Sequence, residues 1–125
     1  MRVLCIDDDE LNRRVLEGML AVAGAELVEA SDGATGLRLI GSMDLDAVML
    51  DLRMPKMDGI EIARCIRQMD DARSKLPIVM ITADTGAHVR ADCLGAGADE
   101  VIHKPVVMSV LFEVLGEALA ARARG

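Results

Sequence analysis

The sequence predicts one α/β domain, a doubly wound five-stranded parallel sheet, and three observations lead there. Short apolar runs of strand length alternate with stretches of helical periodicity along the whole chain. No linker, internal repeat or low-complexity segment breaks the alternation. At 125 residues the chain has the length of one ordinary domain, enough to bury about two-thirds of its unfolded surface.

Arg2 to Ile6 reads as the first strand. Leu11, Val15, Leu16, Met19, Leu20 and Ala23 then recur at helical spacing, and Gly24 ends that helix. Glu26 to Glu29 is a short second strand, after which Ser31-Asp32-Gly33 turns the chain into a helix containing Leu37 and Ile40. Ala47 to Leu50 is the third strand. Beyond the loop from Leu52 to Met57, Asp58 stands three residues before Glu61, close to a capping-box spacing with Asp58 at the N-cap. Ile60, Ile62, Ala63 and Ile66 supply the apolar positions of the helix that follows. Pro77 precedes the fourth strand, Ile78 to Ile81, and a helix runs from about Gly86 to Gly95, with Gly97 as a left-handed C-cap. Val101 to His103 is the fifth strand. Val110, Leu111, Val114, Leu115, Ala118 and Leu119 line the last helix. Five β-α units in a row imply a parallel sheet covered on both faces, joined by right-handed crossovers.

Composition narrows the function classes. Apolar residues make up 52% of the chain and charged ones 28%, a balance that folds rather than stays disordered. Phe112 is the only aromatic residue, so the core must come from Val, Ile, Leu, Ala and some of the nine Met. That leaves no stacking platform for single-stranded nucleic acid. The net charge of −7 opposes binding to phosphate backbones, and Arg122 with Arg124 forms only a small basic helix end. Cys5, Cys65 and Cys93 are odd in number and form no C-x-x-C, which reads as free thiols in a reducing cytosol. His88 and His103 are too isolated for a zinc site. No stretch approaches the roughly 20 apolar residues that span a bilayer. The opening apolar run is cut off at Asp7, so no signal peptide is visible. A soluble, cytoplasmic protein that contacts neither membrane nor nucleic acid is expected.

The chemistry lies where strands end. Asp7 and Asp8 follow the first strand, Asp51 the third, Thr82 the fourth and Lys104 the fifth. In an open α/β sheet the carboxyl ends of the strands form the ligand crevice, so these side chains can meet in space. A carboxylate ending a buried strand needs a partner. Asp9 and Glu10, by contrast, are explained by the dipole of the helix they open. Three carboxylates with one lysine suit a hard divalent cation; Mg²⁺ takes oxygen ligands and typically joins one or two carboxylates to a phosphoryl oxygen. Lys104 can act as a point-charge partner for phosphate, and Lys104-Pro105 is a candidate cis peptide.

Four segments carry a resemblance that covers essentially the whole chain: V-L-C-I-D-D-D-E (Val3 to Glu10), A-V-M-L-D-L-R-M-P-K-M-D-G (Ala47 to Gly59), P-I-V-M-I-T-A (Pro77 to Ala83) and G-A-D-E-V-I-H-K-P (Gly97 to Pro105). In this order they resemble the CheY-like receiver domain of two-component response regulators. The resemblance implies a flavodoxin-like (βα)5 fold and one receiver domain over residues 1–125. It implies Asp51 as phosphoacceptor, Asp8 as a direct Mg²⁺ ligand, Asp7 acting mainly through water, and the Arg53 backbone carbonyl as a further ligand. Thr82 matches the switch hydroxyl and Lys104 the phosphate-pairing lysine. Arg53 and Asp84 match variable positions that influence how long the acyl phosphate survives. A histidine kinase or histidine phosphotransfer protein would supply the phosphoryl group. A downstream effector protein would be met through the last two β-α units. One departure stands out: the family often has an aromatic at the position of Val101, whose rotamer reports phosphorylation, and Val101 has no ring to move.

Two rival classes fare worse. An aspartate-nucleophile phosphatase would want a second acid two residues after the nucleophile, where this chain has Arg53. A nucleotide- or flavin-binding module would want a glycine-rich turn after the first strand, where Asp7, Asp8 and Asp9 would repel a pyrophosphate. The chain is thus expected to catalyse only its own phosphorylation and dephosphorylation. The stretch from Ile81 to Gly97 also resembles receivers fused to hybrid sensor kinases, while a start at Met1 and no linker at the end favour a free-standing regulator.

Overall fold

The computed structural model describes residues 1–124; the Arg124 side chain, half of the basic helix end, lies outside the described residues. The elements run β1 (Arg2–Ile6), α1 (Glu10–Val22), β2 (Glu26–Ala30), α2 (Gly33–Ser42), β3 (Ala47–Asp51), α3 (Gly59–Arg67), β4 (Ile78–Thr82), α4 (Val89–Gly95), β5 (Glu100–His103) and α5 (Met108–Arg124). A 3₁₀ turn at Ala72–Lys75, which the sequence reading does not contain, precedes β4. All neighbouring strands are parallel and lie in the order β2-β1-β3-β4-β5.

Strand periodicity sorts the core into two layers. Leu4, Ile6, Val48, Leu50, Ile78 and Met80 face one side, packed with Ile40 of α2, Ile62 and Ile66 of α3 and Cys93 of α4. Val3, Cys5, Ala47, Met49, Val79 and Ile81 face the other, against Leu16 and Leu20 of α1 and Leu111 and Leu115 of α5. Both faces are thus covered. Strand order reverses between β1 and β3, and the ligand crevice of such a sheet lies at that reversal. Asp7 and Asp51 end those two strands.

Helix ends follow the expected chemistry. The Asp58 carboxylate accepts the Glu61 backbone N–H at 3.0 Å, capping α3. Asp32 caps α2 in the same way through Thr35. Gly24 and Gly97 have φ of 74° and 112°. At each, the flanking amides return to the preceding turn, Gly97 N–H to Leu94 and Ala98 N–H to Cys93. This is the paired bonding that a left-handed glycine permits. Helix α4 differs from expectation, starting at Val89 rather than near Gly86, because Asp84 binds the Gly86 N–H and holds residues 84–87 as a loop. Leu11, Val15 and Val110, read as helix-lining apolar positions, are exposed at 68%, 47% and 42%. The cysteines are free; burial first, then the nearby Asp7 charge, pushes the Cys5 thiol up to about 12.

Candidate functional site

Each strand-end residue is aimed by its strand. Register sets Asp51 of β3 beside Ile81, and Thr82 beside His103. The backbone continues to pair past the strand ends: Asp7 N–H to Ala30, Leu52 N–H to Ile81 and Lys104 N–H to Thr82. The side chains therefore leave a stiff platform. Asp7, Asp51 and Thr82 are the buried polar residues among those described.

Oxygens of Asp7, Asp8 and Asp51 lie within 4.8 Å of one another. The Lys104 Nζ stands 3.5 Å from Asp51 Oδ1. Asp7 is buried and Asp8 exposed, so one carboxylate forms the floor and the other the rim. Asp7 Oδ1 accepts the Asp9 N–H at 2.9 Å, while Arg13 donates to the Asp7 carbonyl at 2.7 Å and to Glu29 at 3.0 Å. Arg13 thus pins the acidic loop to β2. The sequence reading missed it, since an arginine one turn into a helix carries no signal of a loop contact.

Electrostatics matches the burial. The Asp51 carboxyl is pushed up to about 6, first by burial and then by the charge of Asp7; Lys104 and the Arg53 backbone N–H pull in the opposite direction. Three carboxylates facing one ammonium leave negative charge without a partner, and all the donors are hard oxygens. The residues present fit a divalent cation such as Mg²⁺.

Close packing supports the pocket from below. A Cβ at Gly59 would lie 2.9 Å from the Asp51 carbonyl oxygen and 3.0 Å from the Leu52 Cα, so only glycine lets α3 start this near the phosphoacceptor candidate. Thr82 ends β4 as expected, with Oγ1 accepting the Asp84 N–H at 3.0 Å. The Arg53 side chain reaches across to Asp84, a contact the sequence reading did not contain. Val101 is buried in the core and His103 is exposed. The Lys104–Pro105 peptide is cis.

This crevice, on this strand order, defines the class: a five-stranded doubly wound domain with an acidic site at its switch point. The family model of the response regulator receiver domain matches residues 3–116, and the chain belongs to that family. Over 115 residues it is 36% identical to the sensor histidine kinase RcsC of Salmonella typhimurium, covering 92% of this chain and 12% of that protein. It is 39% identical over 111 residues to the response regulator MprA of Mycolicibacterium vanbaalenii, covering 89% of this chain and 47% of the relative. The chain therefore spans half or less of these curated relatives. Among solved structures, it is similar to the receiver domain of a sensor histidine kinase from Pseudomonas aeruginosa, a structure with a magnesium ion coordinated in the active-site cleft. That match has 28% identity, a TM-score of 0.86, and covers 95% of this chain and 97% of the other. The chain is a receiver domain of two-component signalling. No helix among the described residues is long and apolar enough to cross a membrane.

Proposed function

We propose that Asp51 is the phosphoacceptor, in a single receiver unit spanning residues 1–125, and that Asp7, Asp8, Asp51 and the Arg53 backbone carbonyl hold Mg²⁺. The observation that carries this reading is a nearly buried carboxylate, Asp51, at the switch point, with two carboxylates within 4.8 Å and an ammonium at 3.5 Å. An Asp51 oxygen attacks phosphorus in line, the phosphorus–nitrogen bond of a phosphohistidine breaks, and the imidazole departs with the bond pair. Lys104 pairs with the transferring oxygens, and Thr82 donates its hydroxyl to one of them. Mg²⁺, when bound, offsets charge on the carboxylates and on the phosphoryl group. The chain then acts on its own acyl phosphate and on no other substrate.

The donor is a histidine kinase or a histidine phosphotransfer protein, and the phosphorylated state is read by an effector protein through α4, β5 and α5, in the cytoplasm. A groove of about 460 Å³, lined by Asp7, Asn12, Val15, Lys104, Pro105 and Val106 among others, opens beside the phosphoacceptor. Exposed Leu11, Val107, Met108 and Val110 on the same helix starts supply apolar surface for a donor helix. The net charge of −7 argues against nucleic acid as a direct partner.

Intact-mass measurement after incubation with acetyl phosphate and Mg²⁺ tests the reading. One phosphoryl group is expected on the wild-type chain and none on Asp51→Asn, with labelling abolished by a chelator and sharply reduced in Asp8→Ala. Undiminished labelling of Asp51→Asn would overturn the assignment.

A further inference from the structure

Two side chains that flank the acidic crevice meet across its mouth. Arg53 follows Asp51 by two residues and Asp84 follows Thr82 by two. Arg53 Nη2 donates to Asp84 Oδ2 at 2.5 Å, tying the β3–α3 loop to the β4–α4 loop. Asp84 is held at two more points: its Oδ1 accepts the Gly86 N–H at 2.9 Å, and its own N–H donates to Thr82 Oγ1 at 3.0 Å. A continuous line of contacts thus runs from Arg53, two residues beyond Asp51, to the Thr82 hydroxyl. The Asp84 carboxyl is held below its ordinary range, first by the Arg53 side chain and then by the Gly86 N–H, so it is charged at neutral pH.

We infer that the Arg53–Asp84 ion pair is a latch that holds Thr82 and the β4–α4 loop in the resting position and opposes their movement toward Asp51. The Thr82 hydroxyl cannot shift toward a phosphoryl group unless it gives up the Asp84 amide or takes Asp84 with it. Asp84 cannot follow without lengthening its contact to Arg53. Little else restrains the segment: residues 84–87 form no helix or strand, and His88 opens α4 without a side-chain cap. Val101 offers no ring to take up the readout, which leaves the latch as a polar connection between the site and α4. The pair is 67% and 33% exposed, and such pairs bias an equilibrium by roughly one-and-a-half- to fivefold rather than locking it. The resting latch stands without the phosphoacceptor reading; its role in switching rests on that reading.

Hydrogen exchange of the Asp84 amide in the unphosphorylated chain, followed by NMR, tests the resting half. Arg53→Ala should speed that exchange about two- to fivefold and leave the β4 amides unchanged. Raising salt from about 0.05 to about 0.5 M should speed it in the wild type but not in Arg53→Ala, because the pair is screened. Arg53→Lys, which keeps the charge, should restore part of the protection. Unaltered exchange in Arg53→Ala, or a salt response that survives the substitution, would overturn the latch. For the switching half, Arg53→Ala should reach half-saturation at about a two- to fivefold lower beryllofluoride concentration. An equal midpoint beside faster resting exchange would overturn that half alone. No beryllofluoride response in either protein would count against the phosphoacceptor reading and leave the exchange result standing.

Discussion

The two ends of the sheet treat charge in opposite ways. At the amino ends of β4 and β5, Arg67 donates to the carbonyls of Gly97, Ser74 and Leu76 and to Asp99. Asp99 also accepts the Ile78 N–H at 2.8 Å and Arg122 at 2.8 Å. Every partly buried charge there has partners in fixed directions. At the carboxyl ends, Asp7, Asp8 and Asp51 crowd one another, and Lys104 makes one long contact at 3.5 Å. One end is a structural tie and the other is an unfinished site. The difference teaches that burial alone does not mark function; buried like charges crowded together with too few partners do.

The largest expected effect comes from breaking the tie. Arg67→Ala would leave Asp99 with Arg122 and the Ile78 N–H and would take the guanidinium from three carbonyls. A loss of about 2–4 kcal/mol in denaturant unfolding is expected, from several charge-assisted hydrogen bonds lost at a partly buried pair. Arg67→Lys should fall between, since an ammonium cannot reproduce the guanidinium fork. If the comparison holds, the initial rate of Asp51 phosphorylation in Arg67→Lys should match wild type within about twofold at temperatures where both are folded.

At the other end the sign reverses, and removing a charge should stabilise. Asp51 binds its proton more tightly in the folded chain, near 6, than its ordinary value of 3.8. The stability this gives is present below the unfolded value and is lost as pH rises through about 6. Full ionisation therefore costs on the order of 1–3 kcal/mol at neutral pH. Asp51→Asn should gain about 1–3 kcal/mol at pH 7.5 without metal. The wild type should lose roughly 1 kcal/mol more than the variant between about pH 5 and about pH 7.5. Urea unfolding of both proteins at the two pH values checks this, and equal pH dependence would remove Asp51 as the cause. Adding Mg²⁺ should raise the wild-type melting temperature, because only the native state gathers the carboxylates.

The contrast also explains what was legible in the sequence. A strand buried on both faces is a continuous apolar run, so Asp7, Asp51, Thr82 and Lys104 stand out as polar residues at its end. Asp58 and the two left-handed glycines were legible because capping is a local matter of backbone groups within a few residues. The Arg67–Asp99–Arg122 tie was not: its members lie on three elements, and arginines on helices read as ordinary solvated charge. The start of α4 was misjudged for a related reason, since Asp84 overrides local helical spacing through contacts to Gly86 and to Arg53. The outward-facing Leu11 and Val15 show the same limit. Helical periodicity finds an apolar stripe but not which of its edges meets the sheet.

The smallest effect on stability, and the most telling one for the comparison, is expected at Thr82. Thr82 is 1% exposed, and its hydroxyl accepts one bond, from the Asp84 amide. Thr82→Ala should lose about 1–2 kcal/mol, from one hydrogen bond and one buried methyl group. On the proposed reading Asp51 should still be phosphorylated, because its carboxylate, the acidic pair and Lys104 remain. A phosphoryl group offers oxygens that the bare carboxylate lacks, and that differential contact is what moves a two-state equilibrium. Without the hydroxyl the contact is lost, so the movement of the loop after β4 should be lost with it. Amide NMR shifts with and without beryllofluoride, compared in wild type and Thr82→Ala, read this directly between Ala83 and Gly95. Large shifts in the wild type and small ones in the variant are expected there, beside equal shifts around Asp51. Equal shifts in both regions would mean that the response leaves the site by another route, with Lys104 as the first place to look.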